Sequence, residues 1–187
     1  VSLAGTVAPD GLVRGSGLLG WREPVDLAAP LQRASGLDVV IDNDVNAYTV
    51  AEHWFGAGRD TRDFAVLTLG AGVGLGLVCG DELVRGHGGS AGMIGPILLG
   101  GGVPALDAAD VPRLVAACTA LQGRPLTAAD LPAAAQDDPA VAALLDELAD
   151  QVGRLAGTVS AVTAPERILV AGEGAVVLAG REHRVRA

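Results

Sequence analysis

A hydrophobic run from Phe64 to Val84, broken twice by glycine, constrains the fold of this chain more than any other stretch. Phe64 to Leu69, F-A-V-L-T-L, has the length and the continuous apolar character of a buried strand. Leu69-Gly70-Ala71-Gly72-Val73-Gly74 is expected to turn tightly, Gly74 to Cys79 to form a second strand, and Glu82 to Val84 to return after a hairpin turn at Gly80-Asp81. This is the antiparallel start of a sheet. Upstream, Val39-Val40-Ile41 reads as a short strand of the kind buried in a parallel sheet, and Asp42 to Asn46, D-N-D-V-N, as the turn after it. One segment sets carboxylates and amides just past a strand; the other sets a glycine turn within an apolar run. The pair reads as a polar pocket for a small hydroxylated ligand, with room for a phosphate beside it.

The rest of the chain supplies an α/β frame. Val1 to Val7 is expected to be a strand entering the turn Pro9-Asp10-Gly11, and Leu12 to Leu19 a second extended piece. Asp26 is placed to cap a helix from Leu27 to Ser35 that Gly36 ends. Ala47 to Phe55 has helical spacing, with Val50, Ala51 and Trp54 on one face. Gly56 to Asp63, rich in glycine and charge, reads as a boundary between a first lobe over residues 1–60 and a second over 61–187, whose last residues return to the first. Helices are expected near Asp110 to Leu121, Thr127 to Ala134 and Pro139 to Val162. In the last, Leu144, Leu148, Val152, Leu155 and Val159 share a face, and Gly153 and Gly157 fit close packing on a sheet. Ile168 to Ala171 reads as a strand and Ala175 to Ala179 as the start of a helix. The abrupt start, V-S-L-A-G-T-V, suggests that a piece the fold needs lies before Val1.

Composition narrows the function classes. The 187 residues carry 13 basic side chains, all arginine, against 22 acidic ones, a formal charge of −9, so a nucleic acid has no basic block to grip. The R-E-H-R-V-R cluster at Arg181 to Arg186 reads as a helix end or a cut edge. Half the residues are hydrophobic and only 3% aromatic, so Leu, Val and Ala must fill the core. The 27 glycines follow no collagen-like period and mark turns and close approaches. Two cysteines, Cys79 and Cys118, build neither a disulfide framework nor a cysteine-rich metal site, and fit a reducing, cytoplasmic setting. No apolar span of roughly 18 residues is present, and no membrane association is expected.

Several residues are candidates for chemistry. Asp42, Asn43, Asp44 and Asn46 stand at the carboxyl end of a strand, where open α/β sheets bind ligands. A carboxylate there accepts a proton from a hydroxyl, and an asparagine both donates and accepts. Asp44 is the best general base; the competing reading makes Asp44 or Asn46 a cap of the helix from Ala47. Backbone N–H groups of the turn through Gly70, Ala71, Gly72 and Gly74 can approach an anion. No Lys-Ser/Thr follows, so the turn is not a P-loop, and no αβ unit follows, so it is not a dinucleotide fingerprint. His87 and Ser90, in the glycine-rich loop from Arg85, are placed to meet a ligand, while Met93 reads as a buried gap filler. Ile168 to Gly174, with Gly172 and Glu173, can line an adenine or ribose pocket through its backbone.

Taken in order, D-N-D-V-N-A at 42–47, G-A-G-R at 56–59, L-T-L-G-A-G-V-G at 67–74, R-G-H-G-G-S-A-G-M-I-G-P at 85–96 and P-E-R-I-L-V-A-G-E-G at 165–174 resemble the ROK family of bacterial sugar kinases and sugar-responsive repressors. The resemblance implies the two-lobed actin-like ATPase (ribonuclease H-like) fold. It also implies that Asn43 binds sugar hydroxyls, that Asp44 is the kinase base, that Gly70, Gly72 and Gly74 form the second phosphate loop, and that Gly172 faces the nucleotide. It is a divergent likeness. Met93 and Pro96 stand where the family carries a sugar-binding glutamate and a histidine shared by sugar and zinc. The cysteine-rich zinc motif and the glutamate beyond it are replaced by G-G-G-V-P-A-L-D-A-A-D, Ala71 replaces the phosphate-loop threonine, and the first phosphate loop would lie before Val1. Each lost hydrogen bond to a charged partner removes roughly 1.5–3 kcal/mol. The expectation is therefore the effector-sensing part of a ROK-like transcriptional regulator, with Asp44 a vestigial base and a sugar or sugar phosphate bound by Asn43, Asp44, Gly72, His87 and Ser90. No resident zinc is expected, ATP and magnesium only if the chain is instead a divergent sugar kinase. DNA would be held by a module outside this chain, and the regulator would be a homodimer. A ligand-free dimerisation domain is the third possibility.

Overall fold

The computed structural model describes residues 1–186, in which the first extended stretch is not one strand. The leading elements are β1 (Ser2–Leu3), β2 (Thr6–Val7), β3 (Val13–Gly15), α1 (Ala28–Ser35), β4 (Asp42–Asn43) and α2 (Asp44–Phe55). They continue with β5 (Phe64–Leu69), β6 (Val73–Cys79), β7 (Glu82–Leu83), α3 (Ala105–Ala108) and α4 (Val111–Gln122). The last are α5 (Leu131–Asp137), α6 (Pro139–Thr163), β8 (Arg167–Ala171) and α7 (Glu182–Val185). The chain divides into two units: Val1–Ala65 with Gly76–Gly92, and Val66–Leu75 with the residues from Met93 on.

In the first unit the backbone changes partner at Gly5. β1 runs parallel to β4, with Ser2 opposite Asp42 and Leu3 opposite Asn43, whereas β2 pairs antiparallel with β3. A Cβ at Gly5 would come within 2.8 Å of the Gly15 carbonyl, so glycine is what lets the chain cross there. The strand expected over Val39 to Ile41 is displaced to Asp42–Asn43: Ile41 is buried among Val7 and Val13, but Val40 is 76% exposed. Of the extended piece from Leu12 to Leu19, only Val13–Gly15 is strand. Asp26 does accept the Ala29 N–H at 3.2 Å, and Gly36 ends α1 in the left-handed conformation that lacks a Cβ clash.

Helix α2 starts at Asp44, three residues before the expected Ala47. The side chain of Asn43 accepts the Asn46 N–H at 3.0 Å, so Asn43 is the cap rather than Asp44 or Asn46. The buried face of α2 is Asn46 and Thr49, while Ala51 and Trp54, of the apolar face expected with Val50, are exposed. Thr49 lies against Gly76 of β6, where a Cβ would overlap its Oγ1. Close approach to a glycine decided this face, not apolar periodicity.

The strands of the opening run form as expected. The hydrogen-bonded order is β7-β6-β5-β8, and β6 and β7 are antiparallel, joined by Gly80 and Asp81 with φ of 59° and 70°. Positive φ at both turn residues is the two-residue hairpin geometry that matches strand twist.

The second unit is built around α6. Val141, Leu145, Leu148, Val152, Leu155 and Val159 are all buried along it, and Leu145 meets Leu69, Leu114, Leu131 and Val177 in one core. Each such side chain stabilises by roughly 1.5–3 kcal/mol relative to leaving it exposed. Leu144, expected on this face, is only partly buried against the core. Gly153 packs on the backbone of α7, 2.5 Å from the Arg184 carbonyl to where its Cβ would stand, and not on a sheet. The segment expected from Thr127 begins as a 3-10 turn with a Thr127–Asp130 capping box before α5, and Ala175–Leu178 is a single 3-10 turn rather than the start of an α-helix. Met93 is 61% exposed and fills no gap in the core. Among the described residues, no helix is long and apolar enough to cross a membrane.

Candidate functional site

The polar cluster of the first unit grows from the end of β4. Asn43 has extended backbone, and its carboxamide is used from both sides: Oδ1 accepts the Asn46 N–H, and Nδ2 donates to the Gly5 carbonyl at 2.9 Å. Asp42 Oδ1 accepts the Asn43 N–H at 2.8 Å and the Asn46 amide at 3.4 Å. Its Oδ2 pairs with the Arg85 guanidinium. Asp44 stands exposed in the first turn of α2, where backbone N–H groups favour negative charge, and its Oδ1 accepts the Val45 N–H at 2.9 Å. The orientation of Asn43 is therefore set by the fold, while Asp44 presents its second carboxylate oxygen to solvent.

Arg85 also begins the loop that carries His87 and Ser90. The Ala91 N–H closes that loop on the Arg85 carbonyl at 3.0 Å, and Ser90 Oγ donates to the His87 carbonyl at 2.7 Å. Gly89, with φ of 77°, presses on the Val7 carbonyl so closely that a side chain there would collide. The Asp42–Arg85 pair thus ties the loop bearing His87 and Ser90 to the strand end bearing Asn43 and Asp44. Sequence reading missed this pair, because nothing in the spacing of two residues on separate segments announces that they meet.

The glycine cluster of the second unit joins two turns. The Gly70 N–H donates within its own turn, to the Gly72 carbonyl at 3.0 Å. Ala71 is exposed, Gly72 faces Leu106 at 3.8 Å from where a Cβ would stand, and Gly74 lies within β6 rather than in the turn. From the other side, Gly172 (φ of 95°) and Gly174 both press on Leu69, and the Gly174 N–H donates to the Leu69 carbonyl at 2.9 Å. Between them, Glu173 extends its carboxylate over Gly70, with Oε1 3.0 Å from the place of a Gly70 Cβ.

A family model described as the ROK family matches residues 1–179. The chain belongs to the ROK family. It is 41% identical over 96 residues to the beta-glucoside kinase of Listeria monocytogenes, a match covering 51% of this chain and 33% of that protein. It is 38% identical over 77 residues to the xylose repressor of Caldicellulosiruptor bescii, covering 41% of this chain and 19% of that one. Among solved structures it resembles the Lmo2764 protein of Listeria monocytogenes, with 27% identity and a TM-score of 0.83 over 100% of this chain and 71% of that one. The matched segments thus span a third or less of the two curated relatives. ROK membership carries the actin-like ATPase fold, with which the mixed sheets and helices agree. Kinases and a repressor both stand among these ROK relatives.

The ROK resemblance implies a structural zinc, and the residues present do not fit it. From Met93 to Leu106 there is no cysteine, histidine or carboxylate, and among the described residues no group of three such side chains gathers to hold a metal. Leu98, Val103 and Leu106 are exposed along that stretch, and the loop is closed instead by the Leu99 N–H on the Val103 carbonyl at 2.8 Å.

Proposed function

We propose that this chain is the effector-sensing part of a ROK-type transcriptional regulator, that it reads a sugar or sugar phosphate, and that it does not phosphorylate it. The observation that carries the reading is the contrast within the polar segments. Asn43 is held in place by Asn46 and Gly5, beside the Asp42–Arg85 pair, and Asp44 stands exposed next to it, which suits recognition of hydroxyl groups. Met93 and Pro96, by contrast, bring no carboxylate or imidazole to the positions where the family resemblance places a glutamate and a histidine. A sensor needs binding with a difference between two states of the protein, and tolerates the loss of contacts that turnover requires. Phosphoryl transfer also needs a metal-bound nucleotide in line with an acceptor, which Asp44 alone does not position. In this reading Asn43, Asp44, His87 and Ser90 of the first unit form the ligand set, no metal is resident, DNA is held by a module outside this chain, and the regulator works as a cytoplasmic homodimer.

The similarity to a beta-glucoside kinase favours one competing reading, a divergent ATP-dependent sugar kinase with Asp44 as its base. The two are separated by thermal denaturation of the full-length protein against a panel of sugars and sugar phosphates, with a coupled phosphorylation assay on the same panel. A ligand that prefers the folded state raises the melting temperature. At least one panel member is expected to do so with no product formed, and Asp44→Asn is expected to reduce that rise. ATP hydrolysis stimulated by a sugar would establish the kinase instead, and no rise with any member would exclude sensing of this ligand class.

A further inference from the structure

The geometry of the second unit points to Glu173 as a guard against phosphates. Its carboxylate occupies the mouth of the Gly70–Gly72 turn and excludes the phosphate chain of a nucleoside triphosphate by charge. The inference deepens the sensing reading, and rests on it in one respect, that no turnover here demands a nucleotide.

Three observations converge on this residue. First, its backbone is not free to swing away. A Cβ at Gly172 would collide with the Leu69 carbonyl oxygen and one at Gly174 would stand 2.6 Å from the Val111 side chain, and the Gly174 N–H is bonded to the Leu69 carbonyl at 2.9 Å. Second, the side chain is aimed at the turn: Oε1 stands 3.0 Å, Cγ 3.3 Å and Cδ 3.4 Å from where a Gly70 Cβ would be. Third, the turn has little to offer an anion in compensation. The Gly70 N–H already donates to the Gly72 carbonyl, and Ala71 brings no hydroxyl. Neither Arg113 nor Arg154, on the helices of this unit, pairs with Glu173: Arg154 lies against Gly100, and Arg113 gives its backbone N–H to the Asp110 side chain. A glycine turn attracts a phosphate only through unpaired N–H groups and a positive local field. A carboxylate a few ångströms away reverses that field. The turn keeps the shape of a phosphate cradle and has the wrong sign of charge for one.

The test uses the full chain and its Glu173→Gln variant, which keeps the shape and removes the charge, with Glu173→Ala as a second variant. Folding of each is checked by circular dichroism. Inorganic tripolyphosphate, the ATP analogue AMP-PNP and uncharged adenosine are titrated by calorimetry, with and without magnesium. Glu173→Gln is expected to bind tripolyphosphate and AMP-PNP about tenfold or more tightly than the unaltered chain, as removal of a nearby like charge requires. Adenosine is expected to be indifferent to the substitution. Equal affinity of the two proteins for tripolyphosphate would overturn the inference. So would tighter AMP-PNP binding by the unaltered chain in magnesium, because the carboxylate would then be a metal ligand. These titrations contain no sugar, so their failure leaves the sensing reading standing, and a sugar panel without effect leaves the charge effect at Glu173 standing.

Discussion

At Gly76 the first unit allows no substitution without movement, because a methyl group there would overlap Oγ1 of Thr49, itself fully buried and donating to the Val45 carbonyl at 2.7 Å. Gly76→Ala is expected to destabilise by roughly 1–3 kcal/mol, the range for overpacking a filled interior, with the denaturant midpoint shifted at constant slope. An unchanged midpoint would mean that α2 and β6 part freely. The same logic holds for Asn43, whose amide reaches Gly5 and caps α2 together. The sequence marked Asn43 by its place past a strand and left Gly76 unremarked within one. It did not mark their partners, because a close approach is a property of two segments and is written in neither alone.

At the scale of elements, helix positions were legible, and caps and helix faces less so. The helix expected from near Asp110, the Thr127 segment and the long α6 all rest on local rules, and the structure places each within a few residues of expectation. The capping box also sets a pH dependence. Asp130 is held below the usual carboxylate range, first by the Thr127 hydroxyl and then by the Thr127 backbone N–H, with Arg124 adding to the effect. A lowered folded-state value means that the contribution is present above the ordinary carboxylate pKa and is lost as pH falls through the lowered one. Asp130→Asn is therefore expected to melt below the unaltered chain near neutral pH, with the gap closing on acidification. A gap constant with pH would show that the carboxylate charge contributes nothing. The C-terminal arginines show where local reading stops. Arg181 meets Asp146 at 2.7 Å, and Arg184 meets Asp146 at 2.7 Å and Asp150 at 2.9 Å, so the cluster clasps α7 to α6 rather than forming a loose end. Aspartates one turn apart on a helix form such a site only once another segment arrives.

For the whole molecule, the departures from the family pattern bear first on metal content. The stretch from Met93 to Leu106 holds no zinc donor, and its loop is closed by backbone bonds and the Leu98–Pro104 bridge. Purified protein is accordingly expected to contain no stoichiometric zinc, and a chelator is expected to leave its melting temperature unchanged. One tightly held equivalent of zinc by elemental analysis would overturn this. The formal charge of −9 argues in the same direction for nucleic acid, which this chain has no basic surface block to hold.

The sequence by itself determined the strand–turn–strand run from Phe64 to Leu83, the buried line along α6, the approximate place of the longer helices and the family, because each depends on residue order within one short window or on several windows in fixed succession. Tertiary structure alone decided that the stretch from Val1 to Val7 divides between two partners, that α2 buries Asn46 and Thr49, that Arg85 reaches Asp42, and that Glu173 lies over Gly70. Each of these joins segments distant along the chain. Their closeness is set by backbone packing at glycines and by the pairing of opposite charges, which no local pattern of hydrophobic residues records.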